Sequence, residues 1–178
     1  MIWESCYWKE PLIQLAKKMK RWNKQRNWGE ERLVDLEREI FISFYSIRKL
    51  MDACKLSDST VSMEVNLFSY PNKGQAVTLL NWDCIDNLYD LSVKFKDNQK
   101  LRYVCNQIIH SYVFMPTISD CGILETILFC SDKEKNTKLY ELELEELIKI
   151  FCTVGKDYPS SGSHTFNLKK QDYEVTNS

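Results

Sequence analysis

Lys138-Leu139-Tyr140-Glu141-Leu142-Glu143-Leu144-Glu145-Glu146-Leu147-Ile148-Lys149-Ile150 can be read with two different periods. Leu142 and Leu144 alternate with Glu141, Glu143 and Glu145, the period of two that a half-buried strand shows. Leu144, Leu147, Ile148, Phe151 and Val154 step by three and four, as on one side of a helix. Lys138–Glu143 alone fits either state. The reading adopted is a short strand through about Glu143, then a helix with Gly155 as its C-cap.

Working outward, the strongest helical signal runs from Glu30 to Leu56, where Leu33, Leu36, Ile40, Phe44, Ile47, Met51 and Cys54 share one side. A first helix is expected over Lys9 to Arg26, with Pro11 in its first turn and Leu12, Leu15, Met19 and Trp22 facing inward. Val61, Met63, Val65 and Leu67 alternate with polar neighbours, and Pro71-Asn72-Lys73-Gly74 marks a turn. Gln75 to Leu80 is therefore expected to return as the second strand of a hairpin.

A third helix, capped by Asn81 or Asp83, would carry Ile85, Leu88, Leu91 and Phe95. A fourth would run from about Gln99 to Tyr112 with Leu101, Val104, Ile108 and Ile109 buried. Val113–Ile118 and Ile123–Cys130 flank Ser119-Asp120-Cys121-Gly122 as a second hairpin. The fold class these elements predict is α+β and helix-dominated, a helical bundle with two small inserted antiparallel β pieces. Residues 1–156 would form a single domain. Residues 157–178, with Pro159-Ser160-Ser161-Gly162-Ser163, read as a loop-like, mobile tail.

Composition narrows the function. A chain of 178 residues can bury a sizeable core, and 44% hydrophobic with 28% charged residues is ordinary for a globular protein. The net charge of −1 excludes a wholly electrostatic nucleic-acid binder, and neither G-x-G-x-x-G nor G-x-x-x-x-G-K occurs. The 7 Cys form no C-x-x-C pair and mostly sit in apolar runs, which points to free thiols in a reducing, cytoplasmic setting. No stretch has the roughly 18 apolar residues of a membrane span. Asp83, Asp86 and Asp90 share a side, but helix-start acids explain them more cheaply than a cation does, so neither metal nor cofactor is expected.

Charge is nonetheless local. Residues 1–29 hold seven basic and two acidic side chains, and four of the 5 Trp lie there. Lys17, Lys18, Lys20, Arg21, Trp22, Lys24, Arg26 and Trp28 form the candidate surface for RNA or a protein partner, since cations and aromatic faces suit phosphates, stacked bases or a docking anchor. The same pattern also describes a helix that packs one side and hydrates its lysines. Glu141, Glu143, Glu145 and Glu146 are a candidate counterpart for it.

Acid–base chemistry has only 2 His to draw on. His164 reads as a solvated loop residue. His110 closes the series Arg102, Asn106, His110, spaced i, i+4, i+8 on the fourth helix, where a cation, an amide and an imidazole can address a phosphodiester. A polar stripe at the edge of a bundle has the same spacing.

Cys105-Asn106-Gln107-Ile108-Ile109-His110 resembles the R-N-x-x-x-H form of the HEPN ribonuclease motif, and the long upstream helix is similar to that family's bundle core. The resemblance implies a dimer of the kind in which the motif's Arg and His from both subunits converge on RNA, with His110 as acid–base or phosphate-contacting residue and Asn106 as the motif's polar residue. Cys105 stands where the family carries its arginine, and a thiol supplies no fixed positive charge; Arg102, one turn earlier, is the candidate replacement. The expectation is a HEPN-like binding or regulatory protein with a weakened nuclease centre, a homodimer or a subunit of a bacterial defence or toxin–antitoxin assembly. The rivals are an active metal-independent ribonuclease using Arg102, Asn106 and His110, and an unrelated α+β interaction module docking through its Trp-rich amino-terminal arm.

Overall fold

The computed structural model describes residues 2–22, 26 and 28–178. In chain order its elements are α1 (Cys6–Trp22), α2 (Glu30–Asp52), α3 (Asp58–Val61), β1 (Glu64–Val65), β2 (Phe68–Pro71), α4 (Ile85–Leu88), β3 (Phe95–Lys96) and β4 (Gln99–Lys100). They continue with α5 (Leu101–Ile109), β5 (Ser111–Ile118), β6 (Leu124–Ser131), β7 (Lys138–Glu143), α6 (Leu144–Lys156), β8 (Gly162–Asn167) and β9 (Asp172–Asn177).

The expected helix-dominated bundle with two small β inserts is overturned by a five-stranded antiparallel sheet in the order β3-β2-β7-β6-β5. Its centre is the stretch with two periods. In β7, Leu139, Tyr140, Glu141 and Leu142 are all buried because the strand is covered on both sides. The chain then turns directly into α6, whose first turn holds Glu145 and Glu146, the sign a helix amino terminus favours. Leu147, Phe151 and Val154 of α6 are fully buried, each worth about 1.5–3 kcal/mol of apolar burial.

One side of the sheet carries the main core. Leu142 and Phe129 meet α5 and α6 there, α1 lies on α6, and α2 lies on α5. Gly155 is not the C-cap but sits inside α6, where it sets the spacing to α1: a Cβ there would lie 2.6 Å from Ile13 Cγ1 and 3.2 Å from the Lys9 carbonyl. The other side holds a smaller core of Tyr89, Val113, Leu128, Cys130 and Leu139 under the chain between β2 and β3.

Further expectations are corrected. α1 starts at Cys6, one turn before the predicted Lys9, so Pro11 lies in its interior; residues 23–25 of the predicted helix lie outside the described residues, and Arg26 is not helical. Gln75 to Leu80 is irregular, and β2 pairs with β7 and β3 instead. The third helix is one turn long; Leu91 and Phe95 are exposed. The loop-like tail contains a hairpin, β8 paired with β9 from Gly162↔Asn177 to Asn167↔Asp172. No helix among the described residues is long and apolar enough to cross a membrane.

Candidate functional site

α5 packs on α2, with Arg102 at its start set against Asp52 at the end of α2. Arg102 Nη1 donates to Asp52 Oδ1 at 2.9 Å, and Arg48 Nη1 approaches the same oxygen at 3.5 Å. The cation that would replace the motif's arginine is therefore engaged within the fold, sharing one half-exposed carboxylate with Arg48. Cys105 has no exposed surface, and burial pushes its thiol up to about 12 although Arg48 nearby pulls the other way.

Asn106 is exposed on α5, whereas His110 is the first residue beyond the helix, at φ −108° and ψ 27°. Its imidazole is on the surface, and its backbone is fixed by an N–H bond to the Asn106 carbonyl at 3.1 Å and a bond from Asp132 N–H to its own carbonyl at 3.3 Å. The three candidate catalytic residues are thus a paired cation, an exposed amide and an exposed imidazole at the C-cap of α5.

The amino-terminal segment is not an arm. Leu12, Leu15, Ala16, Met19 and Trp22 of α1 are buried against α6 and the rest of the core, so removing residues 1–28 would open the core, not merely delete a docking surface. Trp22 meets Trp28 edge-on at 5.6 Å, and Trp28 Nε1 donates to the Gly122 carbonyl at 3.0 Å; both rings are engaged within the fold. Lys18 pairs with Glu39 at 2.7 Å. Lys17, Lys20, Arg21 and Arg26 are exposed, while Lys24 lies outside the described residues. Of the glutamates named as a counterpart within the chain, Glu141 is buried beside Tyr70 and Lys94, 2.5 Å and 2.7 Å away, and Glu146 holds Lys149, while Glu143 and Glu145 are exposed.

Sequence reasoning missed two clefts at the end of α2. The larger, of about 1040 Å³, lies between the end of α2, the start of the chain and the β8–β9 hairpin; Trp8, Lys49 and Tyr173 are among its walls. The smaller, of about 340 Å³, lies between Lys9 and the segment leading into β8. Cys54, Lys55, His164 and Asn177 line both. Neither cleft includes Arg102, Asn106 or His110.

The local chemistry explains this junction. α2 ends in a left-handed residue, Cys54 at φ 53°, where Cys54 and Lys55 N–H donate back to the Met51 and Leu50 carbonyls. Asn177 Nδ2 donates to the Cys54 and Leu56 carbonyls at 2.9 Å and 3.1 Å, which ties the hairpin to that turn. Beneath, the fully buried Lys9 Nζ donates to the Lys55 carbonyl at 2.7 Å and to the Asp157 carbonyl, under the Tyr158 ring. Burial holds its ammonium below the usual lysine value, partly opposed by the Asp157 charge. The alternation of His164 and Phe166, and of Tyr173 and Val175, was the available signal for the hairpin.

Among the described residues no group of three or more His, Cys, Asp or Glu is arranged to hold a metal ion. No protein-family model matches the chain, and no curated protein and no solved structure matches it.

Proposed function

We propose that the protein acts by binding and not by RNA hydrolysis, with the outward side of α1 as its surface for RNA. The observation that supports this reading is the contrast in charge compensation. Arg102 has a carboxylate partner, Asp52, which it shares with Arg48, whereas Lys17, Lys20 and Arg21, spaced i, i+3, i+4, project from one side of α1 with no carboxylate partner among the described residues. Arg26 follows just beyond. The resemblance to HEPN proteins now rests on the α5 motif, because the sheet replaces the bundle it implied. Within this proposal it carries over as RNA binding without the nuclease centre, in a defence or toxin–antitoxin assembly.

Titration of a fluorescent single-stranded RNA over a salt series tests the reading. The triple variant Lys17→Glu, Lys20→Glu, Arg21→Glu should bind at least about tenfold more weakly, and its salt slope should be shallower by about 0.7 for each phosphate no longer neutralised. Equal binding by the variant refutes the surface, and preference for an acidic peptide over RNA refutes the partner. A parallel cleavage assay without added metal should show intact RNA with wild type and with His110→Ala. Cleavage by wild type that disappears in the variant would establish the ribonuclease reading instead.

A further inference from the structure

Antiparallel partners share a side of a hairpin, so His164, Phe166, Tyr173 and Val175 form one side of β8–β9, while Ser163, Thr165, Glu174 and Thr176 form the other. Three of the first group, His164, Tyr173 and Val175, line the larger cleft, facing a half-buried Trp8 and Ile2 contributed by the start of the chain. Aromatic faces from two separate segments thus border a space of about 1040 Å³, large for a small-molecule site.

The smaller cleft has a different chemistry. No Asp or Glu lines it, while Lys9, Lys55 and His164 do, together with Ser5 and Ser160, whose hydroxyl donates to the Ser178 carbonyl at 3.5 Å. Lys9 is a buried cation whose hydrogen-bond acceptors are two carbonyls and no carboxylate. Asp157, the acid whose charge acts on Lys9, turns its carboxylate to the Ser57 N–H and hydroxyl, at 2.8 Å and 3.0 Å. In the larger cleft Asp52 is engaged by two arginines, and Asp172 Oδ1 accepts the Tyr173 N–H at 2.8 Å. The Met51 and Leu50 carbonyls at the end of α2 accept the Cys54 and Lys55 N–H groups, and Lys49 and Lys55 set positive charge against the negative end of the helix dipole beside the cleft. Lys9 is enclosed by its two carbonyls and the Tyr158 ring, so the cations left to meet a ligand are Lys55 and His164 when protonated. A carboxylate-free cleft bordered by them suits an anion, and the adjoining aromatic walls suit a planar group.

We propose that the two clefts form one site for a nucleoside phosphate, with the phosphate against Lys55, His164 and Ser160 and the base against Trp8 and Tyr173. The site is independent of the α1 surface and does not rest on it. Its ligand chemistry is shared by a free nucleotide and by the end of an RNA chain, and the test separates the two.

AMP and a 5′-phosphorylated RNA trinucleotide are titrated into the full chain, with alkylation of Cys54 followed by mass spectrometry. Cys84 and Cys121, also exposed, serve as controls that ligand should leave unprotected. Protection of Cys54 by AMP supports a free-nucleotide site, and protection by the trinucleotide alone supports a site for RNA ends. Lys55→Glu and Tyr173→Ala should each weaken binding about tenfold, the first by removing phosphate charge and the second by removing stacking. Adenosine and inorganic phosphate alone should each protect less than AMP. Absence of Cys54 protection by either nucleotide, or unchanged binding in both variants with unaltered melting, overturns the proposal. Protection by phosphate equal to that by AMP overturns the base contact.

Discussion

Among the described residues, a cation, an amide and an imidazole can be compared in two places. On α5 they are Arg102, Asn106 and His110, near neighbours in sequence; beside the hairpin they are Lys55, Asn177 and His164, delivered by the end of α2 and by both strands of β8–β9. The first set follows from helical spacing, yet its cation shares Asp52 with Arg48 and its imidazole stands at the C-cap, where α5 stops. The second set is scattered along the chain, yet it borders two clefts, one of them free of carboxylates. Spacing along a helix tells which side chains share a side. Whether a charge there is available depends on what the neighbouring element brings, and only the packing of α2 on α5 decides that.

The contrast can be broken first at Lys9, the floor of the second set. Lys9→Met leaves the carbonyls of Lys55 and Asp157 without their buried donor and should cost about 2–4 kcal/mol, read by denaturant melting, while leaving the Arg102–Asp52 pair in place. Because the folded-state value of Lys9 lies below the ordinary 10.5, the unfolded chain holds more protons between the two, and the stability attributable to Lys9 rises with pH. The gap between wild type and Lys9→Met should therefore widen from neutral pH towards 10.5. A narrowing gap would contradict the burial of this ammonium.

Asp52→Asn attacks the first set. The ion pairs it removes are partly exposed, so the loss should be only about 0.5–1 kcal/mol. Releasing Arg102 should raise affinity for single-stranded RNA about two- to fivefold, a gain abolished in the double variant with Arg102→Gln. An unchanged affinity would show that the α5 stripe is silent for a reason other than Asp52. The smallest effect is expected at Cys54: glycine tolerates the left-handed backbone there, and Cys54→Gly should stabilise by about 0.5 kcal/mol, visible as a small rise in Tm. A fall would mean that the thiol itself holds the turn.

Several elements were readable because their signals are local. The change of period at Glu143 marks the junction of β7 and α6, and the Ser119–Gly122 turn marks the hairpin of β5 and β6. The sheet was not readable, because its defining pairing joins Phe68–Pro71 to Lys138–Glu141, segments far apart in sequence whose partners no periodicity names. Leu91 and Phe95 fit a helical spacing but are exposed, so the third helix was overextended by a pattern that burial does not support. His164 reads as a solvated loop residue because the turn-forming Pro159-Ser160-Ser161-Gly162 masks the alternation that follows. Lys9 counts as one of seven basic residues near the start, and nothing in its neighbours announces that α1 and α6 approach closely enough to enclose it.

Strand β5 forms one margin of the sheet along eight residues, paired only with β6. Pro116 gives it a position with no N–H, and its register with β6 shifts near both ends, between Ser111 and Val113 and between Thr117 and Ile118. A straight, fully hydrogen-bonding margin of that length would invite fibril growth from chain to chain. Interrupted in this way, it is a poorer template for a neighbouring chain than a straight strand of the same length.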